Sequence, residues 1–214
     1  MVMTEIKLII FDLDGTLVDA YPAIINSFNY TMQKFGYPRQ SPYAIRRAVG
    51  WGDENLLKPF INIKNLKQAV LVYRRHHKTA LIRDSRLFPQ TDKVLTYLKS
   101  KGYKLAVASN RPTRFSGILT RHLGLKKYFD YVLCADKLRH GKPNPEILKR
   151  IMQRFSLLPG QTLYIGDMAI DAQAARRAQV KTIIVTTGSS TEREIKKEKP
   201  YRIIGSIGGL LKML

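Results

Sequence analysis

IIFDLDGTLVDA, residues 9–20, ends a short apolar run on Asp12 and Asp14, turns at Gly15-Thr16 and adds a third acid at Asp19. The run is apolar at successive positions and too short for a surface helix, which fits a strand buried on both faces of a parallel sheet. The acids that follow it are unexpected. The 214-residue chain carries 37 Lys and Arg against 16 Asp and Glu, a formal net charge of +21. Carboxylates grouped at a strand end in so basic a chain ask for a chemical reason.

Working outward, further apolar runs read as buried strands at Ile6–Phe11, Lys104–Ala108, Tyr131–Cys134, Thr162–Ile165 and Thr182–Val185. Helical patterns separate them. Val94, Leu95 and Leu98 mark one face, closed by Gly102, and Ile147, Leu148, Ile151, Met152 and Phe155 mark another behind an Asn144 cap with Pro145 at the first helical position. This alternation predicts an α/β fold, a Rossmann-like parallel sheet with helices on both faces. Residues 17–86 break it with helical patterns such as PAIINSFNYTMQKFG and no convincing strand, so a small helical cap is expected as an insertion after the first strand. The expected division is a catalytic core of 1–16 and 87–214 and a cap of 17–86. YRIIGSIGGLLKML at the C-terminus reads as a short strand and a closing helix.

The length suits one domain with an insertion, and 44% hydrophobic residues suit a packed core. Cys134 is the single cysteine, so neither an internal disulfide nor a cysteine metal cluster can form, and YVLCA places it on a buried strand. No run approaches the ~20 apolar residues that span a bilayer, and the N-terminus lacks a basic start and a cleavage site. A cytoplasmic protein without membrane contact is expected. The positive charge favours anionic partners, but residues 17–86 hold 12 Lys and Arg against 4 Asp and Glu, so basicity is spread over the chain. No basic patch interleaved with aromatics stands out, and a nucleic-acid-binding protein on this fold is the disfavoured alternative.

In open parallel sheets, ligands bind beyond the carboxyl ends of the strands. Asp12, Asp14, Gly15 and Thr16 follow the first strand, Ser109 and Asn110 the second, and GDMAID, with Gly166, Asp167 and Asp171, the fourth. Lys142 lies in HGKPNPE ahead of a helix. Each stretch alone also reads as a turn, a helix cap or a surface lysine. Their joint order favours chemistry. Oxygen ligands at adjacent strand ends suit a hard cation such as Mg²⁺. Asp12, Asp14 and Asp167 would repel one another unless such an ion and Lys142 compensated them. A phosphate bridging cation, lysine and the Ser109 hydroxyl completes a phosphoryl-transfer site.

DLDGT, SN, GKPNPE and GDMAID, in this order, resemble the four motifs of the haloacid dehalogenase superfamily of Mg²⁺-dependent phosphatases over nearly the whole chain. The resemblance implies that Asp12 is the nucleophile and forms an aspartyl-phosphate. It implies that Asp14 protonates the leaving oxygen, then activates water, and lends its main-chain carbonyl to the metal. Ser109 and Asn110 would hold phosphoryl oxygens with Lys142, Asp167 would ligate Mg²⁺ beside Asp12, and Asp171, Gly15, Thr16 and Gly166 would support them. The insertion is similar to the cap of the phosphoglycolate phosphatase-like branch, with VGWG (Gly50, Trp51, Gly52) as a specificity loop in which Trp51 faces either substrate or cap core.

Arg111 stands where the family often has lysine, read as harmless, and Gln179 where it often has glycine. His76 and His77 read as a solvated basic face, and Arg46 and Arg47 equally as an anion attractor or as general surface charge. The expected activity is hydrolysis of a small phosphorylated metabolite by a monomer or homodimer. A sugar phosphomutase, a pyrophosphatase, a phosphonate hydrolase and a dehalogenase are the rivals within the superfamily, and Asp14 argues against the last.

Overall fold

A computed structural model describes residues 5–213. β1 (Leu8–Phe11) is buried at all four positions, as a central parallel strand must be. β2 (Val18–Asp19) and β3 (Arg86–Leu87) are two-residue strands, and β4 (Lys104–Ser109), β5 (Tyr131–Cys134), β6 (Thr162–Gly166), β7 (Lys181–Val185) and β8 (Arg202–Ile204) follow. The main sheet has the order β5-β4-β1-β6-β7-β8, parallel throughout. β1 therefore lies between β4 and β6, with Ile10 opposite both Ala106 and Tyr164. The ends of these three strands bring together stretches of chain far apart in sequence.

α1 (Tyr21–Lys34), α2 (Pro42–Ala48), α3 (Asp53–Leu57) and α4 (Ile63–Asp84) lie between β2 and β3. α5 (Thr91–Ser100), α6 (Thr113–His122), α7 (Glu146–Phe155), α8 (Ala169–Arg177) and α9 (Glu192–Lys197) connect the strands of the sheet. Alternation along β1 decides what each face touches. Ile9 and Phe11 join Val94, Leu95 and Leu98 of α5 and Phe115 and Leu119 of α6. Leu8 and Ile10 join Ile147, Leu148 and Ile151 of α7 and Ala174 and Ala175 of α8. Each such aliphatic side chain contributes about 1.5–3 kcal/mol when fully buried, so the sheet that carries the acids is firmly seated. α1 and α4 pack along each other through Phe28, Met32, Leu66, Val70 and Tyr73, in one apolar cluster with the first face.

The expected strands form, with ends shifted by a residue or two. The helix after Asn144 begins at Glu146, whose main-chain N–H donates to Asn144 Oδ1 (2.9 Å). Pro145 is thus the residue before the first helical position. The closing segment forms β8 and a 3₁₀ turn, Ile207–Lys212. One expectation fails: residues 17–86 do include strand. β2 pairs antiparallel with β3, Val18 opposite Leu87 and Asp19 opposite Arg86. Two-residue strands carry no readable period. Asp19 also caps α1, its Oδ1 accepting the Tyr21 N–H (3.2 Å). Among the described residues no helix is long and apolar enough to cross a membrane.

Gln179, exposed just after α8, holds φ at +60°, a left-handed conformation in which a Cβ is crowded. Gln179→Gly is expected to raise stability by about 0.5–1 kcal/mol. A urea-denaturation midpoint that stays put or falls would show that the turn relaxes without cost.

Candidate active site

Asp12 is the first residue beyond β1, and its N–H donates to the carbonyl of Ile165 in β6 (2.8 Å). Its Oδ1 accepts from Lys142 Nζ (2.6 Å). The same ammonium donates to Asp171 Oδ1 (2.7 Å) and to the Tyr164 hydroxyl (3.0 Å), which in turn donates to Asp171 Oδ1 (2.7 Å). Lys142 is 4% exposed and Asp171 1%. Burial alone lowers the lysine's proton affinity, but Asp12 and Asp171 outweigh it and hold the ammonium above its ordinary range. Burial, reinforced by Asp171 and opposed by Lys142, pushes Asp12 up to about 7.

Asp167 follows β6 and is fully buried. Oδ1 accepts from the Thr16 hydroxyl (3.1 Å), while Oδ2 has no hydrogen-bond partner. A Cβ at Gly15 or at Gly188 would run into this Oδ2, so two glycines keep the space around it open. Gly15 also needs its own freedom, with φ at +83°. Burial, with Asp171 and Asp12 nearby, drives Asp167 well above the ordinary carboxylate range. Oxygens of Asp12, Asp167 and Asp171 lie within 4.8 Å of one another. Asp171 is already committed, since its Oδ2 accepts the N–H groups of Asp167 (3.2 Å) and Met168 (3.0 Å) at the start of α8. A Cβ at Gly166 would come within 2.6 Å of Asp171 Cγ, so glycine there keeps this carboxylate in place. The second oxygen of Asp12 and the orphaned Oδ2 of Asp167 are the groups left for a cation. An all-oxygen donor set fits a hard divalent ion.

Asp14 turns away from this group. Its carboxylate is gripped by Arg111, Nε to Oδ2 at 2.7 Å and Nη2 to Oδ1 at 2.9 Å. Ser109, at the end of β4, accepts the Arg111 N–H on Oγ (3.1 Å), which leaves its hydroxyl proton to donate into the pocket. The floor of that pocket is Asp12, Asp14, Ser109 and Lys142, and its roof is apolar, from Ile24, Val49 and Leu56.

The model of the haloacid dehalogenase-like hydrolase family matches residues 9–185, which contain every polar side chain of this site. The chain belongs to that family. A phosphoglycolate phosphatase of Haemophilus influenzae (strain 86-028NP) is 30% identical over 223 residues, 99% of both chains. One from Aquifex aeolicus (strain VF5) is 31% identical over 182 residues, 85% of each. The crystal structure of a predicted phosphoglycolate phosphatase from Haemophilus somnus 129pt, 30% identical, superposes with a TM-score of 0.91 over 99% of both chains.

In this haloacid dehalogenase-like chain the sheet edge gathers Asp12, Thr16, Lys142, Gly166, Asp167 and Asp171, with Ser109 and Asp14 on the same pocket. Asp12 and Asp14 line the same pocket with different partners: one meets lysine, the other arginine. Asn110 spends both amide hydrogens on the carbonyls of Gly50 (2.8 Å) and Lys142 (2.9 Å) and accepts the Lys142 N–H (2.8 Å). Its side chain thus has no donor for a phosphoryl oxygen and instead fixes the lysine loop to the helical segment. Gly50 and Gly52 line the pocket, whereas Trp51 is 48% exposed and does not line it.

Arg46 and Arg47 are not merely solvated. The Arg46 guanidinium sits 3.8 Å from the centroid of the Tyr21 ring, and Arg47 donates to the Ser189 carbonyl (2.6 Å) and pairs with Glu194. His77 is buried, contrary to the solvated face expected for it, and its Nε2 accepts from Arg111 Nη1 (2.7 Å). Tyr164, absent from the sequence reading, and Arg111, read there as harmless, are polar contributors to the site. The alternation of β6, which points Tyr164 to the same side as Gly166, was the available signal for the first.

Proposed function

We propose that this chain is a Mg²⁺-dependent phosphatase that hydrolyses a small organic phosphate monoester, of the phosphoglycolate kind, through an aspartyl-phosphate on Asp12. The observation that carries it is the Lys142 ammonium bridging Asp12 and Asp171 beside the partnerless Asp167 Oδ2. Residues 1–16 and 87–214 act as the catalytic core and 17–86 as a cap over it.

An oxygen of Asp12 attacks phosphorus in line as the bond to the leaving oxygen breaks. Asp14 delivers its proton to that oxygen and so releases the alcohol. Water then attacks the aspartyl-phosphate, Asp14 takes the water's proton, and inorganic phosphate leaves with the Asp12 carboxylate restored. Lys142 offsets charge on Asp12 and on the phosphoryl group, and Ser109 donates to a phosphoryl oxygen. Asp12, Asp167 and the main-chain carbonyl of Asp14 would hold Mg²⁺, which withdraws charge from the phosphoryl oxygens. The apolar roof above the polar floor suits a short carbon skeleton.

Phosphate release from a panel of small phosphate monoesters is expected with Mg²⁺ and not with a chelator present. A panel that stays silent with Mg²⁺ overturns the proposal. Unfolding gives a second readout. In the metal-free protein Asp12 keeps its proton up to about 7, whereas the unfolded carboxyl loses it near 4. Folding therefore takes up a proton between these values, and stability falls as pH rises through the window. A cation that binds the ionised carboxylates restores it. Mg²⁺ should raise the melting temperature by several degrees at pH 8 and little at pH 5, and an equal rise at both would break the assignment of the site.

A further inference from the structure

Arg111 is buried, 9% exposed, and lines the same pocket as Asp12 and Lys142. Two faces of its guanidinium are occupied: Nε and Nη2 by the Asp14 carboxylate, Nη1 by His77 Nε2. Because an arginine only donates, Nε2 of His77 must accept, which places that ring's proton on Nδ1, 3.1 Å from the Ser27 hydroxyl. Ser27 passes its own proton to the Ala23 carbonyl (2.8 Å). The His77 ring also stacks on Tyr73 (4.9 Å between centroids) and meets Phe115 edge-on. The fork is thus braced from behind by α1 and α4 and aimed into the pocket. Asp53 is the other acid that acts on Arg111, and it is engaged by Arg74 (2.9 Å).

A planar fork with fixed backing is a receptor for an anion, and here the protein's own Asp14 sits in it. That occupancy conflicts with the work proposed for Asp14, since both of its oxygens are engaged. Nor can Asp14 simply swing out, because a buried guanidinium stripped of its partner is strongly destabilising. Its departure requires a substitute anion. We propose that Arg111 is a specificity-determining residue: it seats a second anionic group of the substrate, which takes Asp14's place on the guanidinium and frees Asp14 to serve the leaving oxygen. Substrates without that group leave Asp14 parked. The phosphate at Asp12 recognises the class, and the second anion releases the acid. His77 is a positioning residue, acting through Arg111.

This inference rests on the phosphatase reading above, and one experiment separates the two. Phosphoglycolate and ethyl phosphate differ by a carboxylate in place of a methyl, and glycol bisphosphate carries a second phosphate on that methyl carbon. Phosphate release from all three, with Mg²⁺, gives kcat and KM for the wild type, Arg111→Met and Arg111→Lys. The wild type should favour the two anion-bearing esters over ethyl phosphate by roughly 10²-fold or more in kcat/KM, partly in kcat, because a seat built for a polar group rejects its absence strongly. In Arg111→Met the ratio should fall to within a few-fold, whatever the absolute rates. Arg111→Lys, which keeps the charge and loses the fork, should lie between, with its deficit mainly in kcat; either variant suffices if the other does not fold. A ratio near unity in the wild type, or one unmoved by either substitution, overturns the inference and leaves the phosphatase reading standing. Carboxylate and bisphosphate arms that differ sharply identify which anion fits the seat. Silence of the wild type on all three esters, and on the wider panel, would remove both.

Discussion

Asp12→Asn should slow phosphate release by roughly 10⁴-fold or more while leaving the protein folded. Asparagine has the shape of the carboxylate but cannot form the aspartyl-phosphate, so the loss belongs to chemistry and not to architecture. Stability should move the other way. Burial pushes Asp12 from an ordinary 3.8 up to about 7, which makes its ionised form costly by up to about 4 kcal/mol in the metal-free protein. The neutral amide escapes that cost, although Lys142 loses one of its two carboxylate partners. Without metal and above pH 7, Asp12→Asn should therefore unfold at the same temperature as the parent or higher. Retained turnover would exclude Asp12 as nucleophile, and a collapsed fold would show that its contact with Lys142 organises the sheet edge.

Lys142→Met should cost both activity and stability. The ammonium is the buried cation that Asp12 and Asp171 share, and it also lowers the proton affinity of Asp167. Removing one partner of such a group typically costs about 3–5 kcal/mol, because the charges left behind stay buried. The sign of the pH dependence follows. Without the lysine, Asp12 and Asp167 bind protons still more tightly in the folded protein, so the penalty is largest above the pH at which they ionise and shrinks as they protonate. Urea denaturation should show a large deficit at pH 8.5 and a clearly smaller one at pH 5.5, with turnover down about 10³-fold. Equal deficits at the two pH values would mean that the lysine stem, not its charge, does the stabilising.

The sheet and its acids were legible because each signal is local. A fully apolar strand such as LIIF needs only its own residues to be read, Asp12 and Asp167 lie directly behind such strands, and Lys142 lies just ahead of a capped helix. What could not be read depends on partners that the sequence keeps apart. Arg111 meets Asp14 across 97 positions and His77 across 34, and no pattern around YRRHHK marks which histidine is buried. Periodicity makes the helix plain but leaves its rotation open, and that rotation separates His77, 1% exposed, from a solvated side chain. The side-chain contacts of Asn110 are hidden in the sequence for a related reason. Its place after a strand suggests a ligand contact, yet the carbonyls of Gly50 and Lys142 come within reach first. Trp51, half exposed, shows that a lone large aromatic is no guide to the core.

β2 and β3 carry the chain out of the sheet and back through one antiparallel pair, Val18 beside Leu87 and Asp19 beside Arg86. The two ends of the helical excursion therefore stand one strand spacing apart, about 5 Å, and Phe88 N–H is tied to the Leu17 carbonyl just behind them (3.0 Å). A doorway this narrow transmits little about the length of what hangs from it. The excursion can change in length at little entropic cost to the closure of this pair, although its helices share one apolar cluster with Ile9 and Phe11 of β1. What the excursion carries is the backing of Arg111, through His77, while Arg111 itself stays with the sheet.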